Sequence, residues 1–275
     1  MYPVDIWPSV DCDDLLSASN QYLSSMEPSS SENHEWFDIR SNTPHHTKVA
    51  ITGSNVSRLQ MFPDDQSECT VLALHPPGDP DKVLALYLHG KWCSVEDVLT
   101  TSSKSRAGLV ESAMERVILF ILGQVLQKLA DSDMLFSLHP RTECGKLLWM
   151  DGQAVGFYTF KQKGSLCGRW TAQSYLLPVL DTTLVRRCRR GRGFGLQMLS
   201  DFCSLFPGEE VVGLSSPLAP SMVSVCKRFL QQHEEQRERL YEVAEAPGRW
   251  DQRRNIWMSI QLGRYSHRTD NVVCF

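Results

Sequence analysis

Short apolar runs separated by turn signals fill the stretch that starts near Thr47. Residues 48–52, 56–61 and 70–75 each alternate or cluster apolar positions and read as strands. Pro76-Pro77-Gly78-Asp79-Pro80 is a turn that feeds a further strand over 83–88, closed by Gly90. Two helical segments follow. The first starts at Ser94, a good N-cap, with Glu96 and Asp97 where they complement the helix dipole. The second, over 107–129, places Leu109, Ala113, Val117, Phe120, Val125 and Leu129 at helical spacing, as a core-packing helix would.

The pattern then returns to strands. Runs over 146–150 and 154–160 flank Asp151-Gly152, a pair that suits a tight hairpin because the turn needs positive φ. A third strand over 172–186 leads into a glycine-rich turn. Beyond it an amphipathic helix carries Leu196, Leu199, Phe202, Cys203 and Phe206 on one side and ends at Pro207-Gly208. A short strand over 211–214 precedes a helix opened by Pro220, whose apolar face is Met222, Val225, Cys226 and Phe229. Runs over 240–243 and 256–260 read as a closing antiparallel pair. Three consecutive strands before the glycine turn break the β-α alternation of a doubly wound sheet. They fit a mixed sheet that is antiparallel in its first half.

Ahead of all this, residues 17–33 hold Ser17, Ser19, Ser24, Ser25, Ser29, Ser30 and Ser31 with few large apolar groups. Such a segment buries little surface against its ordering entropy, so a flexible arm is expected over 1–40.

Composition narrows the chemistry. At 275 residues, 42% hydrophobic and 22% charged, the chain can bury one core, or one core plus an annex. A net charge of -4 gives no whole-protein attraction to nucleic acid or acidic membrane, so any anion site is a local basic patch. Nine cysteines, with no Cys-x-x-Cys pair, argue against a disulfide framework or a zinc site; most read as structural thiols, and no metal is expected. The acidic N-terminal stretch does not read as a signal peptide, Tyr2 excludes myristoylation and Val272 excludes prenylation. No run approaches the roughly 20 apolar residues of a membrane span. A soluble intracellular protein is expected, without nucleic acid.

The informative stretch is Arg186-Arg187-Cys188-Arg189-Arg190-Gly191-Arg192-Gly193-Phe194-Gly195-Leu196. A strand ends, glycines let the backbone turn closely, and a helix begins. Unpaired amides and the positive end of a helix dipole then meet at one point, which suits phosphate. The five arginines add charges suited to phosphate oxygens. The run lacks the Gly-Lys-Ser/Thr of a Walker A loop. Its glycines at alternate positions do not match a dinucleotide fingerprint. The competing plain readings are a solvated basic turn and a nuclear localisation signal.

The turn resembles motif A of the GNAT acyltransferase superfamily, Arg/Gln-x-x-Gly-x-Gly/Ala, through Arg190, Gly193 and Gly195, with Val185 at the apolar position late in the strand. That resemblance implies an α+β fold: a GNAT-like mixed, centrally splayed β-sheet flanked by helices, here preceded by a β-rich N-terminal extension. It implies an acyl-CoA-binding domain over 81–265, after an extension over 41–80 and before a tail over 266–275. It also implies acetyl-CoA as cofactor, its pyrophosphate held by Val185, Arg190, Gly191, Arg192, Gly193, Phe194, Gly195 and Leu196. A narrower resemblance rests on Val179-Leu180-Asp181-Thr182-Thr183-Leu184-Val185-Arg186-Arg187 and on Gly193 to Leu199. It is to the soluble lamin-associated protein family, also called family with sequence similarity 169. This implies location in the nucleus or at the nuclear envelope (otherwise the cytosol) and a protein partner there.

The catalytic signal is thinner. Acyl transfer needs a base for the amine and often an acid for the leaving thiolate. Aligned on the helix opened by Pro220, Cys226 stands where the acyltransferase resemblance implies a tyrosine acid. Asp181, the one carboxylate in the strand before the turn, is the candidate base, with a structural hydrogen-bonded role as its plain reading. Tyr175 is a candidate proton donor, although strand aromatics more often pack. Cys226 on an apolar face reads as inert core. A binding module descended from an acyltransferase, with a retained acyl-CoA site, is therefore set against an active N-acetyltransferase.

Overall fold

The computed structural model describes residues 2–26, 35–39, 47–63, 69–126, 138–168 and 172–265. The chain forms two compact units, Met1–Arg141 with Leu148–Ala154, and Thr142–Leu147 with Val155–Phe275. The expected tail over 266–275 lies outside the described residues.

The first unit opens with helices α1 (Pro3–Ile6) and α2 (Cys12–Ser25). Helix α2 stands where the serine content predicts a flexible arm. Asp11 caps it reciprocally: Oδ1 accepts from the amides of Asp13 and Asp14 at 2.9 Å each, and Asp14 Oδ2 accepts from the Asp11 amide at 3.2 Å. Cys12, Leu15 and Ser19 make its buried face. The serines do not break it because their hydroxyls turn back on the helix. Ser19 donates to Leu15 O and Ser24 to Asn20 O, one turn earlier in each case. Of the rest of the expected arm, 27–34 and 40 lie outside the described residues, and 35–39 form a strand.

Strands β1 (Glu35–Ile39) and β2 (Thr47–Ile51) form an antiparallel ribbon. Strands β3 (Val56–Gln60), β4 (Thr70–Leu74), β5 (Ala85–Leu88) and β6 (Lys91–Ser94) form a four-stranded antiparallel sheet in that order. Among β1 to β6, only β1 and β6 were not legible in the pattern. Helix α2 lies on β4, with the Ser19 hydroxyl also donating to Thr70 O at 3.3 Å. Helix α3 (Val95–Val98) starts at Ser94 as expected, the Ser94 hydroxyl accepting from the Asp97 amide.

The long helix expected over 107–129 starts later than the pattern suggests, and 127–129 lie outside the described residues. Strand β7 is Gly108–Leu109, and α4 (Ala113–Phe120) begins only at Ser112 before passing into a π-turn over Ile121–Val125. A capping box of Ser112 and Glu115 fixes that start. Glu115 is buried there because it bonds Lys104 and accepts from the Glu111 and Ser112 amides.

The largest sheet has the order β13-β12-β11-β10-β9-β8-β7. Strands β8 (Cys144–Met150) and β9 (Gln153–Lys161) form the expected hairpin, with Asp151 and Gly152 at φ 50° and 72°. Strand β10 (Val179–Val185) is shorter than predicted and pairs antiparallel with β9. Gly156 is required there: a Cβ would meet Leu184 O at 2.3 Å. Helix α5 (Phe194–Leu205) follows. Strand β11 (Val212–Ser215) is parallel to β10, and after α6 (Pro220–Gln232) β12 (Leu240–Val243) is parallel to β11. The α+β class with a mixed sheet, antiparallel first and parallel after the glycine turn, is as expected.

The closing pair is shifted. Strand β13 is Arg253–Asn255, antiparallel to β12, and Ile256–Gln261 is helix α7 rather than a strand. Asn255 decides this, because its side chain accepts from the Met258 amide at 2.9 Å and caps a helix.

Helix α5 packs on the sheet through an aromatic cluster of Tyr158, Phe160, Phe202 and Phe206, ring centroids 5.5 to 6.5 Å apart. Each fully buried ring stabilises the unit by about 1.5–3 kcal/mol relative to exposure. A polar clamp adds direction. Asp201 Oδ2 on α5 accepts from the Tyr158 hydroxyl at 2.5 Å and the Lys146 ammonium at 2.7 Å.

Candidate functional site

Strand β10 carries a bulge: Leu180 faces Phe160 and Thr182 faces Thr159, leaving Asp181 without a partner on β9. On its other side β10 pairs with β11 only through Val179–Gly213 and Leu180–Leu214. From Asp181 onward the two strands part, and this is the expected central splay. Asp181 sits at the fork, where Oδ1 accepts from the Ser215 hydroxyl of β11 at 2.7 Å and Oδ2 lies 3.8 Å from Lys161 Nζ. Lys161 in turn donates to the buried Glu143 at 2.5 Å. These contacts give Asp181 the structural hydrogen bonds of its plain reading, while its side chain stays 30% exposed.

Beyond Val185 the chain makes a 3-10 turn over Arg187–Arg189. The amides of Arg189 and Arg190 bond Arg186 O and Arg187 O, and the Arg190 Nε donates to Val185 O at 3.1 Å. The arginine side chain therefore buttresses the turn from the strand end. Gly191 and Gly193 follow at φ 77° and 84°, with Gly193 the N-cap of α5. At both, an added Cβ would meet nothing within 4 Å. Glycine is demanded by backbone angle here, and the space in front of these residues is open.

The end of α5 is electrically bare. Gly193 supplies no side-chain cap, and no acidic residue stands in the first turn. Among the described residues, none accepts a hydrogen bond from the amides of Phe194, Gly195 or Leu196. Three donors without an acceptor among the described residues and the positive pole of a twelve-residue helix thus meet at the turn that holds five arginines. This arrangement can hold an anion with several oxygens.

The predicted cofactor residues play different parts. Gly191 and Gly193 set the turn, and Arg190 braces it. The Phe194 side chain is buried, so only its amide is available. Gly195 has a packing role: a Cβ would lie 3.1 Å from Val225 Cγ2 of α6. Val185 and Leu196 are half-buried and Arg192 is exposed.

Of the three catalytic candidates, Asp181 acts electrostatically on Tyr175, and Cys226 is core. Burial, helped by the Asp181 charge, pushes the Tyr175 hydroxyl up to about 12, and the ring packs against Leu177, Val179 and Val243. Cys226 is fully buried and burial drives its thiol far above the usual range, the condition of an inert core cysteine.

Sequence reasoning missed Glu242. This buried carboxylate on β12 accepts from the Ser216 hydroxyl at 2.7 Å, the Leu218 amide at 3.4 Å and the Tyr265 hydroxyl at 3.0 Å. It ties down the segment that enters α6. Its signal was legible: alternation in β12 puts Glu242 on the same face as the buried Leu240.

Together these features define an α+β protein with a splayed mixed sheet and an open, uncapped helix N-terminus at the fork. No family model matches the chain. It is 40% identical over 269 residues to Protein FAM169B of Mus musculus, an alignment covering 95% of this chain and 78% of that protein. It is 49% identical over 118 residues to Protein FAM169BP of Homo sapiens, covering 41% of this chain and 62% of that protein. The chain belongs to the FAM169 family. Among solved structures it is similar to a ribosomal-protein-alanine N-acetyltransferase from Brucella melitensis biovar Abortus 2308. That match has a TM-score of 0.29 and 16% identity, and covers 46% of this chain and 88% of the other. A likeness at that level bears on neither site nor activity. No helix of the described residues is long and apolar enough to cross a membrane.

Proposed function

We propose that this protein is a binding module with an acyltransferase-like fold that holds acetyl-CoA by its pyrophosphate at the Arg190–Leu196 turn, without a dedicated proton-transfer pair. The observation that carries the reading is the bare start of α5: Gly193 in a left-handed conformation with open space at its Cβ position, no side-chain cap, and three amides with no acceptor among the described residues. A pyrophosphate satisfies those donors and the helix dipole together. The lack of a proton-transfer pair is supported by Asp181 being engaged by Ser215 and by the burial of Cys226.

The test is thermal. Ligand that binds only the folded state stabilises it by about 2.7 kcal/mol at a hundredfold excess over Kd. Acetyl-CoA should raise the melting temperature, pantetheine (which lacks the pyrophosphate) should not, and Arg192→Glu should diminish the shift. An unchanged melting curve at millimolar acetyl-CoA removes the proposal.

A second reading, acetyl transfer to an amine, is favoured by Asp181 keeping an exposed edge at the fork. It requires acetyl-CoA turnover with an amine acceptor that disappears in Asp181→Asn while acetyl-CoA binding persists. Association with the nuclear lamina is carried by the family resemblance alone, and cell fractionation of the tagged full chain tests it.

A further inference from the structure

A serine hydroxyl and a histidine ring meet in the first unit, in an arrangement that the α5 turn does not use. Ser57 lies in β3, and His75 follows the last residue of β4. Ser57 pairs with Ala73, so Ser57 and His75 are diagonal neighbours on one face of the sheet. Ser57 Oγ lies 2.6 Å from His75 Nε2, and His75 Nδ1 lies 2.9 Å from Lys82 O. A carbonyl only accepts, so Nδ1 carries the proton of the neutral ring and Nε2 accepts from the serine hydroxyl. The orienting carbonyl is itself held in place. Asp79 Oδ1 accepts from the Lys82 amide at 3.3 Å, and the Leu84 amide bonds Leu74 O at 2.8 Å. His75 is 8% exposed and Ser57 is half-buried, which shields the base and leaves the hydroxyl within reach of solvent.

We propose that His75 activates Ser57 as a nucleophile, and that this dyad cleaves activated carboxylic esters. The dyad lies in the first unit and functions without acyl-CoA. Nucleophile, base and a third group that orients the base stand in the order that nucleophilic catalysis requires. The edge of the sheet supplies a donor for the developing oxyanion. The Met61 amide bonds Cys69 O and the His75 amide bonds Asn55 O, so Ser57 and Leu59 between them direct their backbone groups at β4. Arg58 therefore turns its amide outward, and β3 is the edge strand, so no further strand takes that donor. It belongs to the residue next to the nucleophile, where an acyl oxygen gains charge during attack. The orienting group sets the substrate class. A neutral carbonyl stabilises an imidazolium less than a carboxylate does, so leaving groups that need little protonation are favoured and amides are not.

In the reaction, Ser57 Oγ bonds to the acyl carbon as its proton passes to His75 Nε2. The bond from that carbon to the leaving alcohol then breaks, and the alcohol takes the proton. Water, deprotonated by the same nitrogen, adds to the acyl-serine and releases the acid, restoring both groups. A hydrogen bond that only ties β3 to the turn after β4 would confer no such reactivity.

The test treats the full chain with a fluorophosphonate, which loses fluoride to an activated serine, and with p-nitrophenyl acetate. Peptide mass spectrometry should place one phosphonyl group per chain on Ser57, and phosphonylation should stop ester hydrolysis. Ser57→Ala should keep the melting temperature and lose both reactions. His75→Asn keeps a donor for Lys82 O but has no base at the Nε2 position, and should slow both reactions about 10²–10⁴-fold. Unfolding the wild type in urea separates Ser57 from His75 without altering either, and should abolish labelling whatever the variants do. Five results overturn the dyad: wild type left unlabelled; the phosphonyl group on another residue; Ser57→Ala hydrolysing ester at the wild-type rate; folded His75→Asn labelled as fast as wild type; or the unfolded chain labelled as fast as the native one.

Discussion

Replacing Gly193 with alanine forces an L side chain into the left-handed conformation that caps α5, at φ 84°. That costs about 1–2 kcal/mol. No packing penalty is added, since the new Cβ would meet nothing within 4 Å. Asparagine tolerates this conformation better, so Gly193→Asn should cost clearly less than Gly193→Ala. Gly195 obeys different physics. It is helical, so alanine there gains up to about 1 kcal/mol of helix propensity. Against this stands a 3.1 Å contact with Val225 Cγ2 that must yield by a few tenths of an ångström. Gly195→Ala should therefore be near neutral, and Gly195→Leu should overpack the α5–α6 contact by about 1–3 kcal/mol. Urea denaturation of the four variants, followed by tryptophan fluorescence, gives the order directly. If Gly195→Ala proves costlier than Gly193→Ala, or if asparagine at 193 is no better than alanine, crowding governs the turn and the open site beside it is lost.

Asp201→Ala should destabilise the second unit by about 3 kcal/mol in the same assay, because it strands the Tyr158 hydroxyl and the Lys146 ammonium, the latter only 10% exposed. A loss under about 1 kcal/mol would mean that water replaces the carboxylate without cost. Acid should loosen the N-terminal helix through Asp5. Burial acts to raise its pKa, but hydrogen bonds from Thr101, Ser102 and Ser103 outweigh this and lower it from 3.8 to about 2. A depressed folded pKa gives stability that is full above 3.8 and is lost as pH falls toward 2. Wild type should thus lose more stability than Asp5→Asn between pH 5 and pH 2, read by the melting temperature at each pH; parallel curves would remove Asp5 from the acid response.

Local rules carried the reading of the sequence far from Cys144 onward. The Asp151-Gly152 hairpin, the strand entering the arginine-glycine turn, the helix leaving it and the Pro220 start all follow from propensities that neighbours impose within a few residues. Errors came where a single side chain redirected an apolar run. Asn255 turned an expected strand into α7, and the Ser112–Glu115 box delayed α4. In α2 the serine count hid a buried face spaced at Cys12, Leu15 and Ser19. Composition is blind to which face a residue occupies.

The amino-acid order alone determined the mixed strand-helix succession and the glycine positions that leave α5 uncapped, because φ preferences and helix ends are properties of adjacent residues. Only the tertiary structure decided that Asp181 is bulged out at a fork and taken up by Ser215, and that Glu242 anchors the entry to α6. Those meetings join residues far apart in the chain. Their partners are chosen by how sheets and helices stack to bury apolar surface, which no short window of sequence encodes.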